Sequence, residues 1–97
     1  MIRHNVIFNL IHPKNSEAEI AFLKAADILA RIPGVEKFEK LRQVSAKNDY
    51  NFGFAMEFVD QAAYSFYNDH PDHVAFVQGR WIPEVSKFLE IDYVVMA

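Results

Sequence analysis

Seven consecutive residues, Tyr67-Asn68-Asp69-His70-Pro71-Asp72-His73, gather two imidazoles, two carboxylates and a phenol around a proline. Proline suits the first position of a helix, where its missing amide hydrogen would have no partner anyway. If Pro71 opens a helix, His73 sits in its first turn, where the helix dipole disfavours a positively charged ring. A ring kept neutral at physiological pH is what a general base requires. Asp92 lies in an otherwise apolar run near the C-terminus, with Phe88 and Val94 on its strand face. A carboxylate buried there needs a donor, and the His73 ring, pressed onto the sheet from the helical side, would supply one. Asp92 would then fix the tautomer and orientation of His73. The competing reading makes His73 and Asp92 a structural hydrogen-bonded pair that ties helix to sheet.

His4 shares the apolar face of the first strand with Ile2, Val6 and Phe8, so it should look toward the helices. A lone histidine in such a place is more often a satisfied core residue than a catalyst. It gains weight because Tyr67 and His73 reach the same space. Tyr67 offers a phenolic donor to a developing oxyanion, although space-filling in a core is the ordinary role of a buried tyrosine. His4, Tyr67, His73 and Asp92 are therefore the candidate catalytic set.

His70 and His73, flanked by Asp69 and Asp72, are also metal-ligating residue types. A zinc site needs three or four converging ligands, whereas His70 at a helix start should point to solvent and His73 inward. Asp69 and Asp72 are explained more simply as acids favoured at a helix N-terminus. No tight metal site is expected, although exposed carboxylates of this kind suit a weakly held magnesium ion. The chain has three glycines and no phosphate-binding glycine loop, nucleophilic serine motif or base-stacking basic patch. No cofactor is expected.

The elements that would position these groups follow from periodicity. Ile2 to Ile11 alternates between an apolar face (Ile2, His4, Val6, Phe8, Leu10) and a mixed one, which is the pattern of a strand. His12-Pro13-Lys14-Asn15 ends it, because Pro13 has no amide hydrogen for a ladder. Ser16-Glu17-Ala18-Glu19 has capping-box spacing and predicts a helix with Ile20, Leu23, Ile28, Leu29 and Ile32 along one stripe, stopped by Pro33-Gly34. Val35 to Ser45 alternates in part and reads as a second strand, with Ala46-Lys47-Asn48-Asp49 as a turn. Tyr50, Phe52, Phe54, Met56 and Phe58 form the aromatic face of a third strand, which must be buried. Asp60 can cap a helix running through Tyr64 to about Tyr67. Pro71 opens a short helix over Val74, Phe76 and Val77, which Gly79 interrupts. Trp81, Ile82, Val85 and Phe88 mark one more helical segment around Pro83, and Leu89 to Met96 is the last strand.

Composition sets the frame. Ninety-seven residues suit one domain, residues 1–97, and 52% hydrophobic residues, with nine Phe and four Tyr, are ample for a packed core. That fraction is high for so small a domain, so part of it should cover a partner subunit or line a pocket. The net charge of −3, with no block of like charge, argues against a nucleic-acid or anionic-membrane surface. Cysteine is absent, and no apolar run is long enough to span a bilayer. Met1-Ile2-Arg3-His4 lacks the apolar core of a signal peptide, and a cytoplasmic location is the default expectation.

Strand, helix, strand, strand, helices, strand is the split β-α-β order of α+β, ferredoxin-like folds, with one antiparallel sheet and helices on one face. The second face would then stay open. By alternation it carries Ile7, Ile11, Leu41, Val59, Leu89, Ile91 and Val95. Such a face usually marks an interface, and a homodimer pairing two sheets face to face would cover it.

Four stretches together resemble the stress-responsive A/B barrel domain (Dabb) family: Ile2-Arg3-His4-Asn5-Val6, His70-Pro71-Asp72-His73-Val74-Ala75-Phe76, Trp81-Ile82-Pro83 and Ile91-Asp92-Tyr93. The resemblance covers essentially the whole chain and implies a ferredoxin-like protomer whose sheets pair into a dimeric α+β barrel. The family includes plant polyketide cyclases that carry out an intramolecular aldol condensation, and many members without an assigned activity. The resemblance implies pocket roles for Tyr67 and His73, a matching first-strand histidine at His4, and an aspartate at Asp92 that supports the catalytic ring. Where the cyclases carry a pocket tyrosine on the first helix, this chain has Ala26, which implies a cavity of different shape or polarity.

Two functions compete. One is a small enzyme acting on an apolar, oxygenated molecule, with His73 as base for proton abstraction next to a carbonyl. The other is a non-catalytic stress-responsive or ligand-binding homodimer in which the same residues hold the core together. An open pocket beside His73 favours the first, and a closed, filled core the second.

Overall fold

The computed structural model describes residues 1–97. The order is β1 (Ile2–Leu10), α1 (Glu17–Ala25) with a 3₁₀ extension (Ala26–Arg31), β2 (Glu36–Arg42), β3 (Phe52–Phe58), α2 (Gln61–Asp69), α3 (Pro71–Phe76), a π-helical turn (Val77–Trp81), α4 (Ile82–Glu84) and β4 (Val85–Tyr93). The four strands form one antiparallel sheet in the order β2-β3-β1-β4. This is the ferredoxin-like α+β arrangement. No helix is long and apolar enough to cross a membrane.

β1 lies between β3 and β4, with Val6 opposite Phe54 on one side and Glu90 on the other. His4, Val6 and Phe8 of β1 and Phe52, Phe54, Met56 and Phe58 of β3 are buried under the helices. Phe8 is the hub. Its ring lies 4.7 Å from Phe54, 4.9 Å from Trp81, 5.5 Å from Phe52 and 5.9 Å from Phe22. Tilted, edge-on and stacked aromatic contacts of this kind stabilise beyond the area they bury.

The first helix differs from expectation. The buried residues are Glu19, Phe22, Ala26, Leu29 and Ile32, whereas Ile20 is 58% exposed and Ile28 also lies at the surface. From Ala26 the helix tightens to 3₁₀. Three residues per turn then bring Ala26, Leu29 and Ile32 onto one line. The capping box forms in altered shape. The Ser16 hydroxyl accepts from the Glu19 amide at 3.2 Å, but the Glu19 carboxylate accepts from the Asn15 amide, one residue earlier than a standard box requires. Gly34 leaves the segment at φ +94°, a left-handed conformation that favours glycine.

In β2, Glu36 to Glu39 spans three residues against the two from Ala55 to Glu57. The extra residue is a bulge, with Lys37 at φ +52°, and it explains why β2 alternates only in part.

Asp60 caps α2 by accepting from the Ala63 amide at 2.9 Å, and Pro71 opens α3 as expected. Gly79, however, does not interrupt the helical path. α3 runs through the π-turn into α4 without a gap. The wide turn lies just before Pro83, whose ring cannot donate to the Gly79 carbonyl one turn earlier. β4 starts at Val85, so Val85 and Phe88 are strand residues rather than helical ones, and it ends at Tyr93 rather than Met96.

The second sheet face is uncovered within the protomer. Leu41, Gly53, Ile7 and Leu89 form one row across all four strands. Leu41 and Leu89 are close to half exposed. Ile11, Val59 and Val95 lie beyond the strand ends.

Candidate active site

Between the helices and the sheet lies an open cavity of about 380 Å³. β1 contributes His4 and Val6, β3 contributes Phe54 and Met56, and β4 contributes Phe88 and Glu90. Tyr67 comes from α2, His73 and Phe76 from α3, and Trp81 and Ile82 from the π-turn and α4. Most of this lining is aliphatic or aromatic. The polar groups are His4, Tyr67, His73 and Glu90, with the indole N–H of Trp81 as a further donor.

His4 is buried, and its Nδ1 lies 2.6 Å from Asp92 Oδ1. The two residues are direct antiparallel partners, and side chains at paired positions meet on one face. A carboxylate only accepts, so Nδ1 carries the proton and, in the neutral ring, Nε2 carries the lone pair. Tyr64 completes the group. Its hydroxyl donates to Asp92 Oδ2 at 2.9 Å and also lies 2.9 Å from His4 Nδ1. Its ring stacks on Phe58 at 4.9 Å. Burial, then the bond to the anionic Asp92, pushes the Tyr64 hydroxyl well above its ordinary pKa.

His73 is half-buried in the first turn of α3, and its Nδ1–H donates to the Asn68 carbonyl at 3.0 Å. That bond fixes the tautomer with the lone pair on Nε2. Burial lowers its pKa below the ordinary imidazole value, and the neighbouring His4 adds to the effect. The Asn68 carbonyl and Glu90 oppose the shift without reversing it. Tyr67 lies between the histidines, its ring 4.4 Å from that of His73 and 6.3 Å from that of His4. Tyr67 is buried but lines the cavity, and its hydroxyl, which no hydrogen bond within the protein engages, is not sealed off from that space. Burial, then the Glu90 charge, raises its pKa, so it remains a protonated donor.

Three of the four expected residues, His4, Tyr67 and His73, therefore line one cavity. The expected His73 to Asp92 bond does not form. Asp92 serves His4, and a backbone carbonyl takes the place expected for it beside His73. Nor is Asp92 deeply buried, because its side chain is 43% exposed. The pairing follows from the β1–β4 register, which places His4 opposite Asp92. Sequence reasoning missed two residues. Tyr64 lies one helical turn before Tyr67, and Glu90 lies two positions before Asp92 on the same strand face. The spacings i, i+3 on a helix and i, i+2 on a strand are the signals that would have found them.

His70 acts as a cap, its Nδ1 accepting from the Asp72 amide at 3.1 Å. It does not join His73 in a ligand set, and no group of three or more His, Asp or Glu side chains is placed to hold a metal ion.

Known structures share this architecture. A Dabb family protein with a ferredoxin-like fold from Mesorhizobium loti is 63% identical, with a TM-score of 0.96 over 99% of this chain and 97% of that one. A dimeric ferredoxin-like protein of unknown function from Thermobifida fusca is 22% identical, with a TM-score of 0.80 over 97% and 90%. A hydroxynitrile lyase from Passiflora edulis is 13% identical, with a TM-score of 0.83 over 98% and 93%. At the last two identities the likeness is one of fold alone. No curated protein matches the chain. Residues 2–95 match the stress responsive A/B barrel domain, Dabb, and the chain belongs to that family.

Proposed function

We propose that this Dabb family protein is a small enzyme that moves a proton on an apolar, oxygenated molecule held in the cavity. The observation that carries the reading is the cavity's polar lining. Two imidazoles, each anchored through Nδ1, flank an unpartnered phenol in a mainly apolar wall to which Glu90 adds one carboxylate. His73 Nε2 takes the proton from the carbon next to a carbonyl. The electron pair moves onto the carbonyl oxygen, where the Tyr67 hydroxyl donates a hydrogen bond to the growing negative charge. The resulting enolate is re-protonated, or attacks a second carbonyl of the same molecule in an aldol closure. His4 contacts the substrate, and Asp92 and Tyr64 hold its ring in position. The protein works as a homodimer joined through the open sheet faces, a reading supported by the exposed Leu41 and Leu89 row and by relatives described as dimeric.

The second reading is a homodimer that binds its ligand without changing it. The Tyr64–His4–Asp92 network favours it, because these bonds tie β1, α2 and β4 together and would be kept for architecture alone.

Deuterium exchange separates the two even while the substrate is unidentified. A panel of apolar ketones is incubated with the protein in deuterated water, and label entering next to the carbonyl is followed by mass spectrometry. The wild type should accelerate exchange for at least one ketone. His73→Gln should slow it by about 100-fold or more while leaving the secondary structure and thermal transition nearly unchanged. Binding without exchange, or equal exchange in His73→Gln, contradicts the general-base reading.

A further inference from the structure

The cavity's hydrogen-bonding inventory is one-sided. The Nδ1–H of His4 is committed to Asp92 and that of His73 to the Asn68 carbonyl, so in its neutral form each ring presents only an acceptor, Nε2, to the cavity. Glu90, on the β4 face of the cavity, adds a third acceptor and a negative charge. The neutral donors among the lining residues are the Tyr67 hydroxyl and the Trp81 indole N–H, and no lysine or arginine lines the space. Arg80 is not among the lining residues; its Nε lies 3.1 Å from Glu84 and its guanidinium 6.0 Å from the Phe22 ring.

A buried acceptor such as His4 Nε2 costs free energy when left without a donor, and Glu90, although exposed in the protomer, would repel a second carboxylate brought beside it, more weakly than in a dry interior. We infer that the cavity selects an uncharged apolar molecule carrying a hydroxyl donor, and that Glu90 is the specificity residue that turns carboxylates and other anions away. This rests on the cavity being a ligand site and narrows the class of ligand. The Tyr67 hydroxyl takes the carbonyl oxygen, while His4 Nε2 and Glu90 take the ligand's hydroxyl. Glu90 carries out no chemistry in this assignment. It sets which molecules enter.

Three probes of similar size isolate the two halves of the inference: tert-butylphenol, its methyl ether and tert-butylbenzoate, each titrated calorimetrically into wild type and Glu90→Gln. The phenol should bind about tenfold more tightly than the ether, the difference one hydrogen bond makes. The benzoate should bind at least about tenfold more weakly than the phenol, and Glu90→Gln should recover about that factor for the benzoate while changing the phenol little. Emission from Trp81, the only tryptophan in the chain and a lining residue, gives an independent report of occupancy. Equal affinity for phenol and ether overturns the hydroxyl requirement. Equal affinity for phenol and benzoate in the wild type, or a benzoate affinity unmoved by Glu90→Gln, overturns the role of Glu90. Failure of all three probes to bind would instead remove the ligand-site reading on which both rest.

Discussion

Asp92 holds two neighbours at once, His4 through one oxygen and Tyr64 through the other. Removing one donor should therefore be felt without collapse. Tyr64→Phe keeps the ring stacked on Phe58 and deletes only the hydroxyl, so it should cost about 1.5–3 kcal/mol, as for a hydrogen bond to a charged group. Urea denaturation with an unchanged m-value measures this, and a stability equal to wild type would show that the bond contributes nothing. The residue types of the site were legible in the sequence, because alternation turned His4 inward and Pro71 placed His73 in a first helical turn. The partnership of Asp92 was not. Two strands that are neighbours in space but distant in sequence declare their register only on pairing, and that register gives Asp92 to His4. Tyr64 was hidden for a related reason: it acts through Asp92 from across the fold.

At the scale of elements, the π-turn is where sequence rules and structure part. Glycine favours helix termination, yet Gly79 sits in a continuous helical path, with nothing within 4 Å of where a Cβ would stand. Its φ is not in the left-handed region. Gly79→Ala should therefore stabilise the protein by about 0.5–1 kcal/mol, chiefly by restricting the unfolded chain. A destabilisation of that size in chemical denaturation would show that the turn needs glycine. β1 and β3 were legible because one face of each is buried and period two survives intact. The buried stripe of α1 was not, because its 3₁₀ continuation changes the period midway. The start of β4 was hidden because Pro83 and the preceding aromatics look helical, and the helical segment does end at Glu84, one residue before the strand.

For the whole molecule, the decisive feature is a sheet covered on one side only. Leu89→Asp or Ile91→Asp sets a carboxylate on the open face. Burying it unpaired between two sheets would cost several kcal/mol, so either variant should sediment as a monomer or lose solubility. Wild-type protein that remains monomeric at micromolar concentration would refute pairing through this face. Within that assembly, catalysis requires His73 to be a neutral base that does not depend on Asp92. Burial lowers its pKa in the folded state, so as pH falls below the ordinary imidazole value of about 6.5 the unfolded chain takes up the proton first. Stability is then lost through the window between that value and the lower folded one. The most direct measurement is an NMR titration of the histidine rings in wild type and Asp92→Asn. His73 should titrate below about 6.5 with the same curve in both proteins, while the His4 resonances shift in the variant. A His73 ring that titrates at or above that value, or that moves with Asp92→Asn as far as His4 does, would contradict the assignment.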